Sequence, residues 1–259
     1  MQAAEYERMY ALEGEHWWYV ALREVVMWHV RRVAEGRRLR ILDAGCGTGG
    51  MLQMLREVGE VVGIDGSERA VAYCRQRGLS EVTCEDLNTW EPRESAFDVI
   101  VCLDVLYHMG VADDVAVMRK FYAALVPGGM VILHLPAFEC LRRAHDEVVM
   151  TRRRYTRKSA AQLACGGGFE VIGNCYRLWW LFFVALARKW RERVRNGYHE
   201  EESDLQPLPA WLNRILLGLA RADNFFVRYG VSMPVGSSIL LVGRKPTMSG
   251  VDGLESSGC

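Results

Sequence analysis

The sequence predicts an α/β fold in which a mostly parallel sheet is covered by helices on both faces, the doubly wound, Rossmann-like arrangement. Between residues 39 and 137, short apolar segments that suit buried strands alternate with segments that have the periodicity of amphipathic helices. Glycine or acidic residues stand at the ends of these segments, where turns and caps need them. Because parallel strands are joined by crossovers of this kind, we expect the first 135 residues to form one doubly wound domain.

The first predicted element is a single helix over residues 4–35, which Gly36 ends. Strands are then predicted over residues 39–45, 60–67, 81–87, 97–103 and 130–137. The helices between them are predicted over residues 50–59, 68–78 and 111–126, the last closed by the turn Pro127-Gly128-Gly129. A further helix over 159–168 leads to a sixth strand over 169–176, and a seventh strand is predicted over 237–246.

The sixth and seventh strands are separated by more than sixty residues rich in Trp, Phe, Leu and Arg. Helices are predicted there over 178–195 and 209–228, joined by a polar linker. The chain is therefore divided into an N-terminal helical segment (1–36), a core (37–176 and 236–246), a helical insertion (177–235) and a tail (247–259). The tail is rich in Ser and Gly, and we expect it to be disordered.

Composition narrows the class of protein. The 259 residues carry 32 Lys and Arg against 32 Asp and Glu, which argues against a nucleic-acid partner. The eight cysteines form no C-x-x-C pair, so we expect reduced thiols in a cytoplasmic chain and no metal site. No basic segment followed by an apolar one marks a secretory signal at the N-terminus. The longest apolar run, Leu178 to Ala187, has ten residues, and a bilayer span needs about twenty.

The stretch "ILDAGCGTGG", residues 41–50, carries four glycines after an apolar strand. Such a turn indicates left-handed backbone or the close approach of a ligand. Two interpretations are open here. Gly45-x-Gly47-x-x-Gly50 fits the G-x-G-x-x-G fingerprint of dinucleotide sites, and Asp43-x-Gly45-x-Gly47 fits the nucleoside loop of methyltransferases.

Acidic residues at the ends of the strands help to choose between them. Asp43 can accept hydrogen bonds from an ammonium group, whereas it would be badly placed against a pyrophosphate. Asp65, followed by Gly66, can accept from both ribose hydroxyls, which suits either nucleotide. In "CEDL", Asp86 can accept from an adenine amino group while the amide of Leu87 serves a ring nitrogen.

Five segments in register, "ILDAGCGTG", "VVGIDGS", "CEDL", "FDVIVCLDVLYH" and "LVPGGMVIL", together resemble the class I S-adenosylmethionine-dependent methyltransferases. The resemblance covers about residues 39–135. It implies a seventh strand that runs antiparallel beside six parallel ones, and S-adenosyl-L-methionine as the cofactor. The residues that it places around the cofactor are Gly45, Cys46 and Gly47 at the methionine part, Asp65 at the ribose, Asp86 and Leu87 at the adenine, and Leu103 at the lip of the fourth strand.

The wider chain resembles a bacterial subgroup whose members often begin with "HWW", here residues 16–18, and enter the last strand through a segment like "MPVGSSILLV". The aromatic residues of the N-terminal helical segment suit a core face. The resemblance to the class I enzymes implies the alternative, that this segment closes over the cofactor with Tyr10 and Tyr19 as contacts. The resemblance to the bacterial subgroup implies substrates from glycan, lipid or secondary-metabolite pathways.

Methyl transfer requires positioning more than catalytic groups, because the sulfonium is already a strong electrophile. A general base helps a hydroxyl acceptor, and the candidates are His108, His145 and Tyr155. Five cations between Arg152 and Lys158 lie near the expected rim of the site, where they either form a solvated face or bind an anionic substrate.

The segment "YRLWWLFFVALARKWRERVR" joins an apolar half to a basic half. It suits a lid over the site, a docking surface for a membrane, or a dimer contact, and the first two favour a hydrophobic or lipid-linked acceptor. The expected function is methyl transfer to an oxygen or nitrogen atom of a small hydrophobic or anionic metabolite. An NAD-dependent oxidoreductase and a non-catalytic partner protein that keeps the fold are the alternatives, and the oligomeric state stays open.

Overall fold

A computed structural model describes residues 3–194 and 206–247. Its strands are β1 (Leu39–Ala44), β2 (Gly59–Asp65), β3 (Val82–Cys84), β4 (Phe97–Leu103), β5 (Leu125–Pro136), β6 (Glu170–Arg177) and β7 (Ser238–Arg244). Its helices are α1 (Ala3–Leu12), α2 (Trp17–Ala34), α3 (Gly50–Leu55), α4 (Glu68–Gln76), α5 (Asp114–Ala124), α6 (Ala144–Val148), α7 (Arg157–Gly166), α8 (Trp179–Val194) and α9 (Ala210–Arg228).

The strands form one seven-stranded sheet in the order β3-β2-β1-β4-β5-β7-β6. Strands β1 to β5 pair in parallel, and β7 lies antiparallel between β5 and β6. The predicted fold class, with six parallel strands and an antiparallel last strand, is confirmed.

Helices cover both faces of this sheet. Ile41 and Val99 point into the layer formed with α2, α3 and α4, whereas their neighbours Leu42 and Ile100 point into the layer formed with α5 and α7. Successive side chains of a strand alternate between faces, so a strand covered on both sides is apolar throughout. This explains the continuous apolar runs of the central strands.

The predicted single helix over 4–35 is wrong, because residues 13–16 form a turn between α1 and α2. Glu13 leaves the helical path to bind the amide of Gly50, and Gly14 follows it, a residue that weakens a helix. The side chain of Asn213 then caps α2 by accepting from the Trp17 amide at 2.8 Å. Tertiary contacts therefore interrupt a periodicity that continues through the turn.

Two smaller differences concern the second half of the core. Strand β5 begins at Leu125 instead of residue 130, because the backbone is already extended where α5 ends. The Pro-Gly-Gly segment, which was predicted as a turn, therefore lies within the strand. The short helix α6 was not predicted.

The helical insertion contains α8 and α9, close to their predicted bounds. Helix α9 packs against α2, and Asp223 of α9 accepts from the amide of Leu178 at 2.9 Å, which fixes the beginning of α8. None of the helices in the described ranges is long and apolar enough to cross a membrane. The middle of the predicted linker and the predicted disordered tail beyond residue 247 lie outside the described residues.

Candidate active site

A cleft of about 780 Å³ opens at the carboxyl ends of β1 and β4. Strand β1 lies between β2 and β4. Strands β2 and β3 are added on one side of β1 and β4 and β5 on the other, so the strand order reverses at this point. Open α/β sheets bind ligands at such switch points. The cleft walls come from the turn after β1, α1, α2, the segment after β4, α6 and α8.

The glycine turn after β1 forms the inner wall of the cleft. Gly45 has φ +81° and Gly47 has φ +55°, both in the left-handed region that favours glycine. A Cβ on Gly45 would overlap the side chain of Val105 from the segment after β4. The Gly47 amide donates to Asp65 at 2.9 Å, so the turn is held against the end of β2.

Asp43, at the foot of this turn, is 2% exposed. Its Oδ2 has no hydrogen-bond partner among the described residues. Burial, together with the nearby Asp65 and Glu13, raises the pKa of Asp43 to about 8. An anionic oxygen without a partner is costly in a buried place, and an ammonium group would remove that cost. The site therefore fits the amino group of S-adenosylmethionine.

The residues predicted for the nucleoside line the same cleft, among them Asp65, Gly66, Asp86, Leu87 and Leu103. Asp65 also accepts from the amides of Gly47 and Ser67, each at 2.9 Å, and burial raises its pKa. Asp86 is exposed and accepts from the amide of Asn88 at 2.9 Å, which orients its carboxylate at the open end of the cleft.

The N-terminal helices complete the wall of the cleft. Tyr19, which the sequence predicts as a cofactor contact, lines the cleft. Burial raises the pKa of Tyr19 well above its ordinary value. Tyr10 lies outside the cleft lining and stacks on Tyr73 at 4.6 Å. Glu13 was missed by sequence analysis. It accepts from the hydroxyl of Thr48, from the Gly50 amide at 3.1 Å and from Arg77 at 2.7 Å, and thereby joins α1 to the glycine turn.

The structure brings two of the three predicted bases to the cleft. His108 and His145 line it, and burial lowers the pKa of His108. His108 Nδ1 accepts from the Gly110 amide at 3.0 Å. Tyr155 is 1% exposed, lies outside the cleft lining and donates to Asp114 at 2.7 Å, so it has a packing role behind the site.

The predicted cationic rim is largely engaged within the fold. Arg154 binds both oxygens of Asp146 at 2.7 and 3.0 Å, and Arg153 pairs with Asp114. Of the five cations from residue 152 to 158, Arg154 alone lines the cleft. Arg143 and Arg188 also line the cleft.

A cluster of polar side chains, which sequence analysis also missed, lies at the wall of the cleft where β4 and β5 end. Asp104 and His134 both line the cleft, and His134 Nδ1 lies 2.9 and 2.8 Å from the two carboxylate oxygens. His134 Nε2 lies 3.1 Å from Arg177 Nη1, and Arg177 donates to Asn224 at 3.0 Å. These residues have no short-range spacing that would have linked them in the sequence.

Comparisons with known proteins agree with this geometry. Residues 41–129 match the family model described as a methyltransferase domain. The chain is 34% identical over 152 residues to trans-aconitate 2-methyltransferase from Variovorax paradoxus (strain S110), covering 57% of this chain and 53% of that protein. It is 32% identical over 108 residues to the probable tRNA methyltransferase 9B of Homo sapiens, covering 41% of this chain and 23% of that protein.

The chain thus spans about half or less of the length of these curated relatives. Among solved structures, an S-adenosylmethionine-dependent methyltransferase from Thermotoga maritima superposes on this chain with a TM-score of 0.54. The superposition covers 93% of this chain and 95% of that one at 17% sequence identity, and it shows that the two share a fold. The "HWW" subgroup stays a prediction. The seven-stranded sheet that contains the matched residues 41–129 has the fold of an S-adenosylmethionine-dependent methyltransferase.

Proposed function

We propose that the chain as a whole transfers a methyl group from S-adenosylmethionine to an oxygen or nitrogen atom of a small acceptor. The observation that carries the proposal is the buried Asp43 carboxylate, which has an oxygen without a partner among the described residues, beside a glycine turn that lines the cleft. NAD has a pyrophosphate and would place negative charge near this carboxylate, so the geometry disfavours the oxidoreductase alternative.

Calorimetric titration with S-adenosylhomocysteine and, separately, with NADH tests the cofactor. We expect binding of S-adenosylhomocysteine with a Kd below about 1 mM and no heat from NADH. No binding of S-adenosylhomocysteine at about 1 mM, or tight binding of NADH, would contradict the proposal. A protein that binds the cofactor and methylates none of a broad set of hydroxyl, carboxylate and amine acceptors would favour the non-catalytic alternative.

The cofactor supplies a methyl group on a positively charged sulfur, and the sulfur keeps both electrons of the broken carbon–sulfur bond. The residues of the chain bind and orient it. Asp43 would accept from the ammonium group, Asp65 from the ribose hydroxyls, and Asp86 with the Leu87 amide from the adenine. The half-buried ring of Tyr19 would exclude water from the reacting end of the cleft.

We further propose that the acceptor is hydrophobic, anionic or both. The outer cleft is lined by Leu181, Val184 and Ala185 of α8, which suit an apolar body. Arg143 and Arg188 also line the cleft and suit a carboxylate or phosphate. Methylation rates for a homologous series of fatty acids and the matching alcohols would test this. Equal rates for acids and alcohols of every length would contradict it.

A lipid surface is the partner that we propose for α8 and α9. Trp179, Phe183 and Trp190 recur along α8 with helical spacing, and they are 41%, 55% and 68% exposed. Helix α9 exposes a similar series, Trp211, Ile215 and Leu219. Exposed cations lie on the same two helices, among them Arg191 of α8 and Arg214 of α9. Aromatic and cationic side chains together suit an anionic interface.

The test is co-sedimentation with phosphatidylcholine vesicles with and without phosphatidylglycerol. We expect binding to the anionic vesicles, and its loss when Trp179, Phe183 and Trp190 are replaced by Ser. Ile172→Ser, which changes a 42% exposed residue on β6, is the matched control and should still bind. Trp180 is unsuitable for this test because its ring packs on Trp17. Retained binding by the triple variant would contradict the proposal of a cytoplasmic, membrane-peripheral enzyme.

A further inference from the structure

We propose that Asp104 is the residue that contacts the methyl acceptor and takes its proton, and that His134 and Arg177 hold the Asp104 carboxylate in place. The inference rests on the proposed methyltransferase function and assigns a base that differs from the three predicted from the sequence.

The backbone places Asp104 at the reacting end of the cleft. It follows the last residue of β4 directly, on the strand adjacent to β1 and its glycine turn. The next residue, Val105, is the one whose side chain fills the space above Gly45. Asp104 has φ +58°, a left-handed conformation that is uncommon outside glycine and that Asp tolerates better than most residues. Its side chain is 25% exposed, so one edge is accessible from the cleft.

The hydrogen-bond chemistry fixes the ring of His134. A guanidinium group can only donate, so the contact of 3.1 Å between Arg177 Nη1 and His134 Nε2 makes Nε2 an acceptor. The ring proton then lies on Nδ1 and is donated to Asp104 at 2.8–2.9 Å. The side chain of His134 is 1% exposed, and the ring of Trp18 packs edge-on against it with centroids 5.6 Å apart. The carboxylate of Asp104 is thus held at one side while its other side stays accessible.

Arg177 anchors this chain of contacts in the helical insertion and α2. It is 1% exposed and donates to Asn224 Oδ1 through Nε at 3.3 Å and Nη2 at 3.0 Å. Asn224 in turn donates to the carbonyl of Ala21 in α2 at 2.7 Å. Burial lowers the pKa of Arg177 to about 10, while Asp223 and Asp104 oppose that shift.

Such a buried arrangement contributes little net stability compared with apolar packing of the same volume. The position of the arrangement gives a better explanation, because the contacts of Arg177 with His134 and of His134 with Asp104 orient the Asp104 carboxylate at the cleft. An acceptor O–H or N–H would donate to Asp104. As the acceptor's electron pair forms the bond to the methyl carbon, the X–H bond breaks, its electron pair stays on X, and the proton moves to the carboxylate. The accessible edge of Asp104 then returns the proton to solvent.

The first arm of the test needs no acceptor. Nitrogen-15 NMR of the histidine rings of the full chain, with the His134 signals assigned from His134→Gln, reports which ring nitrogen carries the proton. We expect protonated Nδ1 in the wild type and a changed chemical shift of Nε2 in Arg177→Met, because the donor to Nε2 is then lost. A wild-type ring protonated at Nε2 would overturn the chain of contacts.

The second arm measures kcat and KM for the first acceptor methylated in the screen, together with the Kd of S-adenosylhomocysteine. Asp104→Asn should lower kcat by about 100-fold or more while the Kd changes less than about threefold. Arg177→Met should lower kcat at nearly constant Kd, and Arg177→Lys should restore part of it. A kcat of Asp104→Asn within about threefold of wild type would overturn the catalytic assignment.

Asp98→Asn is the matched control, because Asp98 lies at the opposite end of β4, where it binds Arg37 and Arg40. It should lower the melting temperature and leave kcat unchanged. Failure of the wild type to bind S-adenosylhomocysteine would contradict the methyltransferase proposal itself. Binding with an Nε2-protonated His134 would contradict the role of these residues alone.

Discussion

Binding of the cofactor should release a proton from Asp43, and Asp43→Asn should abolish that release. Burial and the nearby acids raise the pKa of Asp43 to about 8. In the free protein at pH 7, about nine-tenths of the molecules therefore carry a proton on this carboxyl group. A bound ammonium favours the ionised form, so we expect release of about 0.9 proton at pH 7 and about 0.1 at pH 9.

Calorimetric titrations with S-adenosylhomocysteine in phosphate, HEPES and Tris buffers measure this quantity. The slope of the apparent binding enthalpy against the ionisation enthalpy of the buffer gives the number of protons released. Asp43→Asn should bind more weakly and give a slope near zero. Asp98→Asn should keep the wild-type slope, because hydrogen bonds from Arg37 and Arg40 lower the pKa of Asp98, and this carboxylate is already ionised at pH 7.

A wild-type slope near zero at pH 7, with intact binding, would refute this account of Asp43. The same raised pKa also has a consequence for stability. A carboxyl group whose pKa is higher in the folded state lowers the free energy of unfolding as the pH rises from about 4 to about 8. Asp43→Asn should therefore be more stable than the wild type at pH 8 in denaturant titrations without ligand, and no more stable at pH 4.

Three other substitutions test the remaining contacts. Gly45→Ala would place a Cβ against Val105 at a left-handed position, so binding of S-adenosylhomocysteine should weaken more than about tenfold by calorimetry. Tyr155→Phe removes the hydrogen bond to Asp114 and should lower the free energy of unfolding by about 1–2 kcal/mol in urea, with unchanged affinity for S-adenosylhomocysteine. Glu13→Gln should lower both the melting temperature and the affinity for S-adenosylhomocysteine, since this carboxylate joins α1 to the glycine turn; an unchanged affinity would contradict that link.

The wall of the cleft at the ends of β1 and β2 was predictable because its residues follow strands that are recognisable locally. Asp43, Gly45 and Asp65 lie within 23 residues of sequence and meet because parallel neighbouring strands end at the same edge of the sheet. An apolar run precedes each acidic residue, Ile41-Leu42 before Asp43 and residues 61–64 before Asp65, so the end of each strand is clear from the sequence.

The residues around Asp104 could not be predicted in this way. Asp104, His134, Arg177 and Asn224 come from four different elements and more than a hundred residues of sequence. Their contacts depend on the position of β6 at the sheet edge and of α9 across α2, neither of which has a local sequence signal. For Tyr155 the error had another cause. The residue was named because its segment resembles that of the bacterial subgroup, whereas the fold directs its hydroxyl toward Asp114 of α5.

The cap on α2 has a consequence for the synthesis of the chain. The first turn of α2 obtains its acceptor from Asn213, whose amide also donates to the carbonyl of Glu15 at 2.9 Å. On the ribosome, the N-terminal residues are made first, yet their partner emerges almost two hundred residues later. Contacts of such sequence separation form late, since the intervening chain must first be ordered. The first turn of α2 therefore obtains its cap late in folding, once α9 has docked against α2.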